Sequence, residues 1–375
     1  MDRGRSLRWA ACMGLVTVLL AGTGCTDRSE GAPGPAMSPD ARSYLTNALA
    51  IMEKNALLRH QIAWADVRRD AFSQARGAQK PADTYNAIRA ALQTVGAGHS
   101  SLMEPKQAEA DLNSSPDGAL DGLEGRSMGD RIGYVSLPGV HGSDSAYAQY
   151  VRQGREAVAR ANRPGACGWV VDLRDNSGGN MWPMLAVVAP VLGNGTVGMF
   201  VDSDGKKSAW TIENGSPRED GTSFGWGDSA PVAHASAPVA VLTSGETASS
   251  GEAVVVAFRG RPATRFFGQY TGGIPTGNAI HRLPDGAMLV LTEVKDADRT
   301  GRTYDAPIPP DEETNAIQHT APARPDQALD AAKNWLLKQG ACQWAQGSRT
   351  ASISESFSNA LMRAGGPAIL VAHRS

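Results

Sequence analysis

The chain of 375 residues has little that would indicate a metal site, a nucleic-acid surface or a membrane domain. It contains no C-x-x-C pair and no H-E-x-x-H motif, so a structural or protease-type zinc site is unsupported. Its net charge of −2 comes from mixed signs without a basic stripe, which argues against nucleic-acid binding. Beyond the N-terminus, no apolar run is long enough to cross a bilayer. We therefore expect chemistry carried by side chains and backbone, with no metal or organic cofactor and no nucleic-acid partner.

Cysteine is also scarce, with four residues in the whole chain. Cys12 and Cys25 lie in or at the end of an N-terminal apolar segment, which leaves Cys167 and Cys342 for the folded part. In an oxidising compartment these two can form a disulfide that ties the C-terminal segment to the central sheet. Two separate buried thiols are the alternative.

The N-terminus has the pattern of an export signal. Residues 1–25 combine a basic start, a short apolar stretch and the small residues AGTGC. A cysteine directly after small residues predicts lipidation of Cys25, although Gly22 stands where a larger aliphatic residue is usual, so plain secretion is the alternative. Residues 26–39 are polar and rich in Gly and Pro, as in a linker. We expect a periplasmic or cell-envelope lipoprotein, or else a secreted protein, with any membrane contact made through the lipid.

The rest of the chain, about 335 residues, is enough for a large core or two packed subdomains. Residues 40–102 predict a helical subdomain, and the polar stretch 103–128 predicts a surface loop. Over 129–320 strands alternate with helices, which predicts an α/β core with a largely parallel sheet. A C-terminal helix is expected within 321–345, followed by a loosely attached, Ser- and Ala-rich tail at 346–375.

The segment 238–260, PVAVLTSGETASSGEAVVVAFRG, predicts a buried strand, a turn of small residues and a helix. Ser249 and Ser250 stand at the start of that helix, where free backbone N–H groups and the helix dipole favour a negative charge. Ser249 could attack a carbonyl there, with the Ser250 amide holding the oxyanion. Ser249 and Glu252 also fit the S-x-x-E capping box, in which the serine only closes off the helix.

A second glycine-rich turn lies in 170-VVDLRDNSGGN-180, again between a strand and a helix. Ligand sites in α/β sheets lie beyond the carboxyl ends of strands, where both turns are expected. If the two strands are neighbours, the amide of Gly178 or Gly179 can meet that of Ser250 at one oxyanion.

A neutral serine needs a base, and His99 is the candidate among seven histidines because it sits at a glycine-flanked helix end. A histidine base is in turn oriented by an acid. Asp305, after the last predicted hairpin, is the first candidate, with Asp311 and Glu312 as rivals. Asp172 lies inside a strand and is expected to be structural.

The motifs GAGHSSL, WVVDLRDNSGGN, TSGETASSGEAV and RTYDAPIPPD, in this order over about residues 40–320, resemble the C-terminal processing (tail-specific) serine peptidases. The resemblance implies a ClpP/crotonase-like spiral of βα units. It also implies Ser249 as nucleophile, and an oxyanion site made by the amide of Ser250 and one glycine of the GG turn.

The chain departs from that family in two respects. Ile274, in 268-GQYTGGIPTG-277, stands where the processing peptidases carry their catalytic lysine, and there is too little chain before Ile132 for a PDZ domain. The resemblance is therefore to the tricorn-like branch, which uses Ser–His and a downstream acid and implies His99 and Asp305 in those roles.

These observations lead to an exported serine peptidase as the first hypothesis, with a peptide or an unfolded protein as its substrate. A non-catalytic lipoprotein that binds peptide or lipid on the same fold is the alternative from another class. An esterase using the same residues is the third possibility.

Overall fold

The computed structural model describes residues 36–96, 98–114, 120–163, 165–227, 230–232, 234, 236–314 and 326–343. The signal peptide with Cys25, the linker up to residue 35 and the tail at 346–375 lie outside these residues. Residues from Met37 onward belong to one compact unit. No helix in the described ranges is long and apolar enough to cross a bilayer.

The elements follow the predicted alternation from α5 onward. The helices are α1 (Pro39–Asn55), α2 (Trp64–Gln74), α3 (Tyr85–Val95), α4 (Pro105–Asn113), α5 (Asp144–Ala161), α6 (Met181–Leu192), α7 (Ser250–Phe258) and α8 (Gln327–Leu337). The strands are β1 (Ser101–Met103), β2 (Glu124–Ser127), β3 (Ile132–Ser136), β4 (Gly168–Asp172), β5 (Gly195–Asp202), β6 (Lys207–Glu213), β7 (Ser216–Glu219), β8 (Thr222–Ser223), β9 (Val239–Thr243), β10 (Thr264–Gly268), β11 (Thr276–Arg282), β12 (Met288–Asp298) and β13 (Glu312–Glu313).

A mainly parallel sheet carries both glycine-rich turns. Its order is β13-β10-β9-β4-β3-β2, and every pair is parallel except β2 with β3. Trp169 and Val171 of β4 pack into the core that includes α5, α6 and α7, whereas Val170 faces the core that includes α8. Because both faces are covered, its central strands are continuous apolar runs rather than alternating ones. The predicted α/β class is confirmed.

A second, antiparallel sheet was not expected as a unit. It has the order β1-β12-β5-β6-β7-β8, with β11 paired to β12. Strand β1 extends the helical segment directly into this sheet, and the buried faces of α1 and α3 share one core with residues of β12. A single core therefore joins the helical segment to the long strand β12.

The prediction of a surface loop over 103–128 was wrong. Pro105 occupies the first turn of α4, where its missing N–H costs nothing, and Ala108 is buried. The charged strand β2 forms the antiparallel edge of the parallel sheet, which requires pairing with β3 rather than an apolar pattern of its own.

A disulfide joins Cys167, just before β4, to Cys342, after α8. The two half-cystines are 175 residues apart in sequence. The cross-link therefore restricts a very long loop in the unfolded chain and fixes α8 on the outer face of the sheet.

Loss of this disulfide is expected to lower the free energy of unfolding by about 2–4 kcal/mol, because the unfolded chain gains conformational entropy. Thermal unfolding of Cys342→Ser should therefore show a lower Tm than the oxidised parent. Reduced parent protein should match the variant, and the variant itself should not respond to reductant. A parent Tm that is unchanged by reduction would contradict a stabilising cross-link.

Candidate active site

Ser249 occupies a sharp turn between β9 and α7. Its backbone has φ 52° and ψ −120°, a conformation that non-glycine residues rarely adopt and that costs roughly 1–2 kcal/mol. The side chain is half-buried at the N-terminus of α7. Strain of this kind persists only where surrounding contacts hold it, so the contacts of this turn are informative.

The carboxylate of Glu252 holds the turn in place. Glu252 is completely buried and accepts hydrogen bonds from the backbone N–H of Ser249 at 3.1 Å, of Gly273 at 2.9 Å and of Ile274 at 2.8 Å, and from the Thr271 hydroxyl. Burial raises the pKa of the Glu252 carboxyl, and these hydrogen bonds oppose that shift. One side chain thus ties the serine turn to the loop 271–274.

The capping box is therefore present chiefly through its acidic half. The Glu252 amide faces the Ser249 side chain in the capping-box arrangement, but the Ser249 hydroxyl makes no cap hydrogen bond. Among the described residues the Ser249 hydroxyl has no hydrogen-bond partner, which leaves it available for chemistry.

The turn after β4 lies directly against Ser249 because β4 and β9 are parallel neighbours. Asn176 is buried and organises this turn: its Nδ2 donates to Leu137 O at 2.9 Å, and its Oδ1 accepts from Gly178 N at 3.0 Å. The Asn176 carbonyl accepts from Ala248 N at 2.9 Å. The two glycine-rich turns are thus hydrogen-bonded to each other.

The same contacts separate the two glycines that the sequence left equivalent. The Gly178 N–H is committed to Asn176, whereas the N–H groups of Gly179 and Ser250 donate no hydrogen bond to any described residue. The Ser250 hydroxyl donates to Gly179 O at 2.5 Å and so holds these two residues together. Gly179 and Ser250 are therefore the pair whose amides are free for an oxyanion.

His99 lies in the turn between α3 and β1. Its Nδ1 is 2.7 Å from Thr276 Oγ1, and its backbone carbonyl accepts from Asn278 Nδ2 at 3.2 Å. Burial lowers the pKa of His99 below its ordinary 6.5, so the ring is neutral at neutral pH. A neutral imidazole is the form that can act as a base.

His99 and Ser249 are connected through the loop that Glu252 holds. Thr276, the partner of His99, follows Ile274 by two residues and donates its N–H to the Ile274 carbonyl at 2.8 Å. No hydrogen bond joins His99 directly to Ser249 within the described ranges. Catalytic contacts are often longer in an unliganded enzyme than in the substrate complex.

The three candidate acids do not contact His99. Asp305 is 70% exposed and lies 3.3 Å from Lys295 Nζ. Asp311 pairs with Arg259 at 3.2 Å, and Glu312 pairs with Arg265 at 3.1 Å. Their positions in chain order were right for an acid, but neighbouring cations bind them.

Asp172 has the structural role expected of it. It pairs with Arg174 at 2.6 Å, and Arg174 also reaches Asp326 at the N-cap of α8. This buried network fixes the carboxyl end of β4 against α8, one turn away from the catalytic loop.

One more carboxyl group, Asp296 of β12, lies close to Glu252 and is completely buried. Neither of its oxygens has a hydrogen-bond partner among the described residues. Burial, reinforced by the nearby Glu252, raises the pKa of Asp296 well above its ordinary value, so this acid is protonated at neutral pH. No three His, Cys, Asp or Glu side chains in the described segments converge on a possible metal site.

Sequence patterns missed the residues that position this site. Asn176 could have been suspected from its place in the glycine-rich turn, and Glu252 from the capping box. Thr276 had no distinguishing pattern, because a hydroxyl at the start of a strand is common.

The comparisons with known proteins agree with this geometry. Residues 131–314 match the model of Peptidase family S41. The nisin-resistance protein of Lactococcus lactis subsp. lactis is 27% identical over 284 residues, which cover 76% of this chain and 86% of that protein.

Two solved structures have the same fold. A lipoprotein from Streptococcus agalactiae superposes with a TM-score of 0.63 at 24% identity, covering 80% of this chain and 96% of that one. The photosystem II D1 C-terminal processing protease gives a TM-score of 0.53 at 14% identity, covering 74% and 94%. With the family match over both glycine-rich turns, these comparisons show that the chain belongs to peptidase family S41.

Proposed function

We propose that this protein is an exported serine peptidase in which Ser249 is the nucleophile and His99 the general base. The observation that carries the proposal is the turn at Ser249, strained, held by Glu252 through its backbone, and left with an unpartnered hydroxyl. The free amides of Gly179 and Ser250 lie at the adjoining turn, where an oxyanion hole is required.

The reaction follows from these positions. Ser249 Oγ attacks the scissile carbonyl carbon while His99 Nε2 takes the hydroxyl proton. The carbonyl oxygen becomes an oxyanion that accepts hydrogen bonds from the two free amides. When the tetrahedral intermediate collapses, His99 returns the proton to the leaving amine, and water then hydrolyses the acyl-enzyme by the same steps.

Export is the second part of the proposal. It is supported by the signal-like residues 1–25, by the disulfide, which forms in oxidising compartments, and by the likeness to a lipoprotein and to a nisin-resistance protein. Lipidation of Cys25 would then anchor the protein at the cell envelope. The name of the Lactococcus relative makes nisin a reasonable first substrate to test.

The direct test is labelling of the purified protein with a fluorophosphonate, followed by mass spectrometry of the modified peptide. We expect the label on Ser249. Label on Ser250 would move the nucleophile by one residue. If the protein takes no label and cleaves neither nisin nor an unfolded protein, it is a non-catalytic binding protein. Faster turnover of p-nitrophenyl esters than of any peptide would identify an esterase.

The pH dependence gives a separate prediction for the base. Because burial lowers the pKa of His99 and only the neutral ring accepts a proton, kcat/KM should rise with pH and reach its plateau after a midpoint below 6.5. A full pH profile of kcat/KM measures this midpoint. His60→Gln removes an exposed histidine paired with Asp204 and should leave the profile unchanged. A midpoint clearly above 7 would exclude His99 as the base.

A further inference from the structure

In this protein a hydroxyl group stands where a catalytic triad would have its acid. His99 Nδ1 lies 2.7 Å from Thr276 Oγ1, well within hydrogen-bond distance. No carboxylate among the described residues is hydrogen-bonded to this ring. Asn278, on the same strand β11, holds the His99 carbonyl at 3.2 Å. Strand β11 therefore contacts both the ring and the backbone of the histidine.

The chemistry of the pair depends on which nitrogen carries the proton. A neutral imidazole has one N–H and one lone pair, and the group bound to Nδ1 decides between the two tautomers. If Nδ1–H donates to the Thr276 oxygen, the lone pair is on Nε2 and can accept the serine proton. A hydroxyl can thus select the tautomer as a carboxylate does, but it adds no negative charge to stabilise the imidazolium.

Thr276 is well placed for such a role because its own position is fixed. The Glu252 carboxylate binds Ile274 N at 2.8 Å, and the preceding Pro275 carbonyl accepts from Asp296 N at 3.1 Å. Thr276 is also the first residue of β11, paired across the antiparallel ladder with Lys295. The Glu252 that holds the Ser249 turn therefore also holds the segment that contacts His99.

The charged groups nearest to Thr276 explain why Asp305 does not take this role. Lys295, directly opposite Thr276 in the ladder, lies 3.3 Å from the Asp305 carboxylate. The acid is thus paired with the lysine one step away from the histidine, and a neutral hydroxyl contacts the ring instead.

We propose that Thr276 is the positioning residue for His99: its hydroxyl oxygen accepts a hydrogen bond from Nδ1–H and keeps Nε2 free for the proton of Ser249. This inference rests on the proposed peptidase function. It assigns to the segment that lacks the catalytic lysine of related enzymes a different task, which is to orient the histidine that replaces it.

The kinetic test compares Thr276→Val, which has the same shape without the hydroxyl, with Thr276→Ser, which restores it. We expect Thr276→Val to lower kcat/KM about tenfold, the equivalent of one net hydrogen bond, and Thr276→Ser to recover most of that loss. The midpoint of the pH profile should move further down in Thr276→Val, since an acceptor for the protonated ring is lost. Thr211→Val, in β6, removes a hydroxyl with no partner among the described residues and should change neither quantity.

A spectroscopic test separates this inference from the proposed function. In ¹⁵N-labelled Ser249→Ala protein, the ring shifts of His99 should report a proton on Nδ1, and Thr276→Val in that background should move the population towards Nε2–H. These shifts are measurable whether or not the parent is a peptidase, so a missing activity would count only against the proposed function. An unchanged tautomer in Thr276→Val, or a change produced by Asp305→Asn instead, would overturn the role of Thr276.

Discussion

Ser249→Ala is expected to reduce kcat/KM by about 10⁵-fold, because removal of the nucleophile leaves only binding and the oxyanion amides to favour the reaction. Fluorophosphonate labelling should disappear completely. The fold should survive, since the Ser249 hydroxyl has no partner among the described residues and the bond from its N–H to Glu252 does not need the side chain. Circular dichroism and Tm beside the kinetics establish this.

The neighbouring Ser250→Ala is the matched variant. It keeps the backbone N–H but loses the hydroxyl that donates to Gly179 O at 2.5 Å. We expect a loss of about tenfold in kcat/KM through a looser oxyanion turn, with labelling retained at Ser249. If Ser250→Ala abolished activity and Ser249→Ala did not, the assignment of the two serines would have to be exchanged.

Gly179→Ala is expected to have the second largest effect, a loss of about 100- to 1,000-fold in kcat, which is typical for removal of one oxyanion donor. Gly179 has φ +113°, and an added Cβ would lie 2.0 Å from the Val140 carbonyl oxygen. The turn must therefore shift, and the amide shifts with it. The substitution should also lower Tm, because a side chain disfavours this positive φ.

Two measurements separate misplacement of the amide from general unfolding. Substrate KM should change much less than kcat, since the donor acts on the developing oxyanion rather than on the ground state. Gly340→Ala is a suitable control, because nothing lies within 4 Å of its added Cβ and its φ is not positive. Full activity in Gly179→Ala would show that its amide is not an oxyanion donor.

Much of the architecture around the site follows from local patterns. The apolar runs of β4 and β9 are long enough for buried strands, and small residues after each run specify a turn into a helix. Parallel neighbours place their carboxyl ends together, so the convergence of the two turns could be expected from the sequence. The antiparallel sheet could not, because β1 and β12 pair over a long separation without a pattern that specifies the partner.

The details of the site depended on side-chain contacts that sequence spacing does not reveal. Gly178 and Gly179 are chemically identical, and only the hydrogen bond from Gly178 N to Asn176 distinguishes them. Asp305 was a reasonable acid by its order in the chain, but its carboxylate lies beside Lys295 of β12. Order along the chain does not determine which charged groups become neighbours across strands.

The sequence by itself determined the α/β class, the two glycine-rich turns, Ser249 at a helix start and the absence of a lysine at Ile274. These features depend on hydrophobic periodicity and on the few residues that tight turns accept. The tertiary structure alone decided which amides are free, what holds the strained serine turn and which group contacts His99. Those choices belong to Asn176, Glu252 and Thr276, whose hydrogen bonds form only after the strands and loops have been assembled.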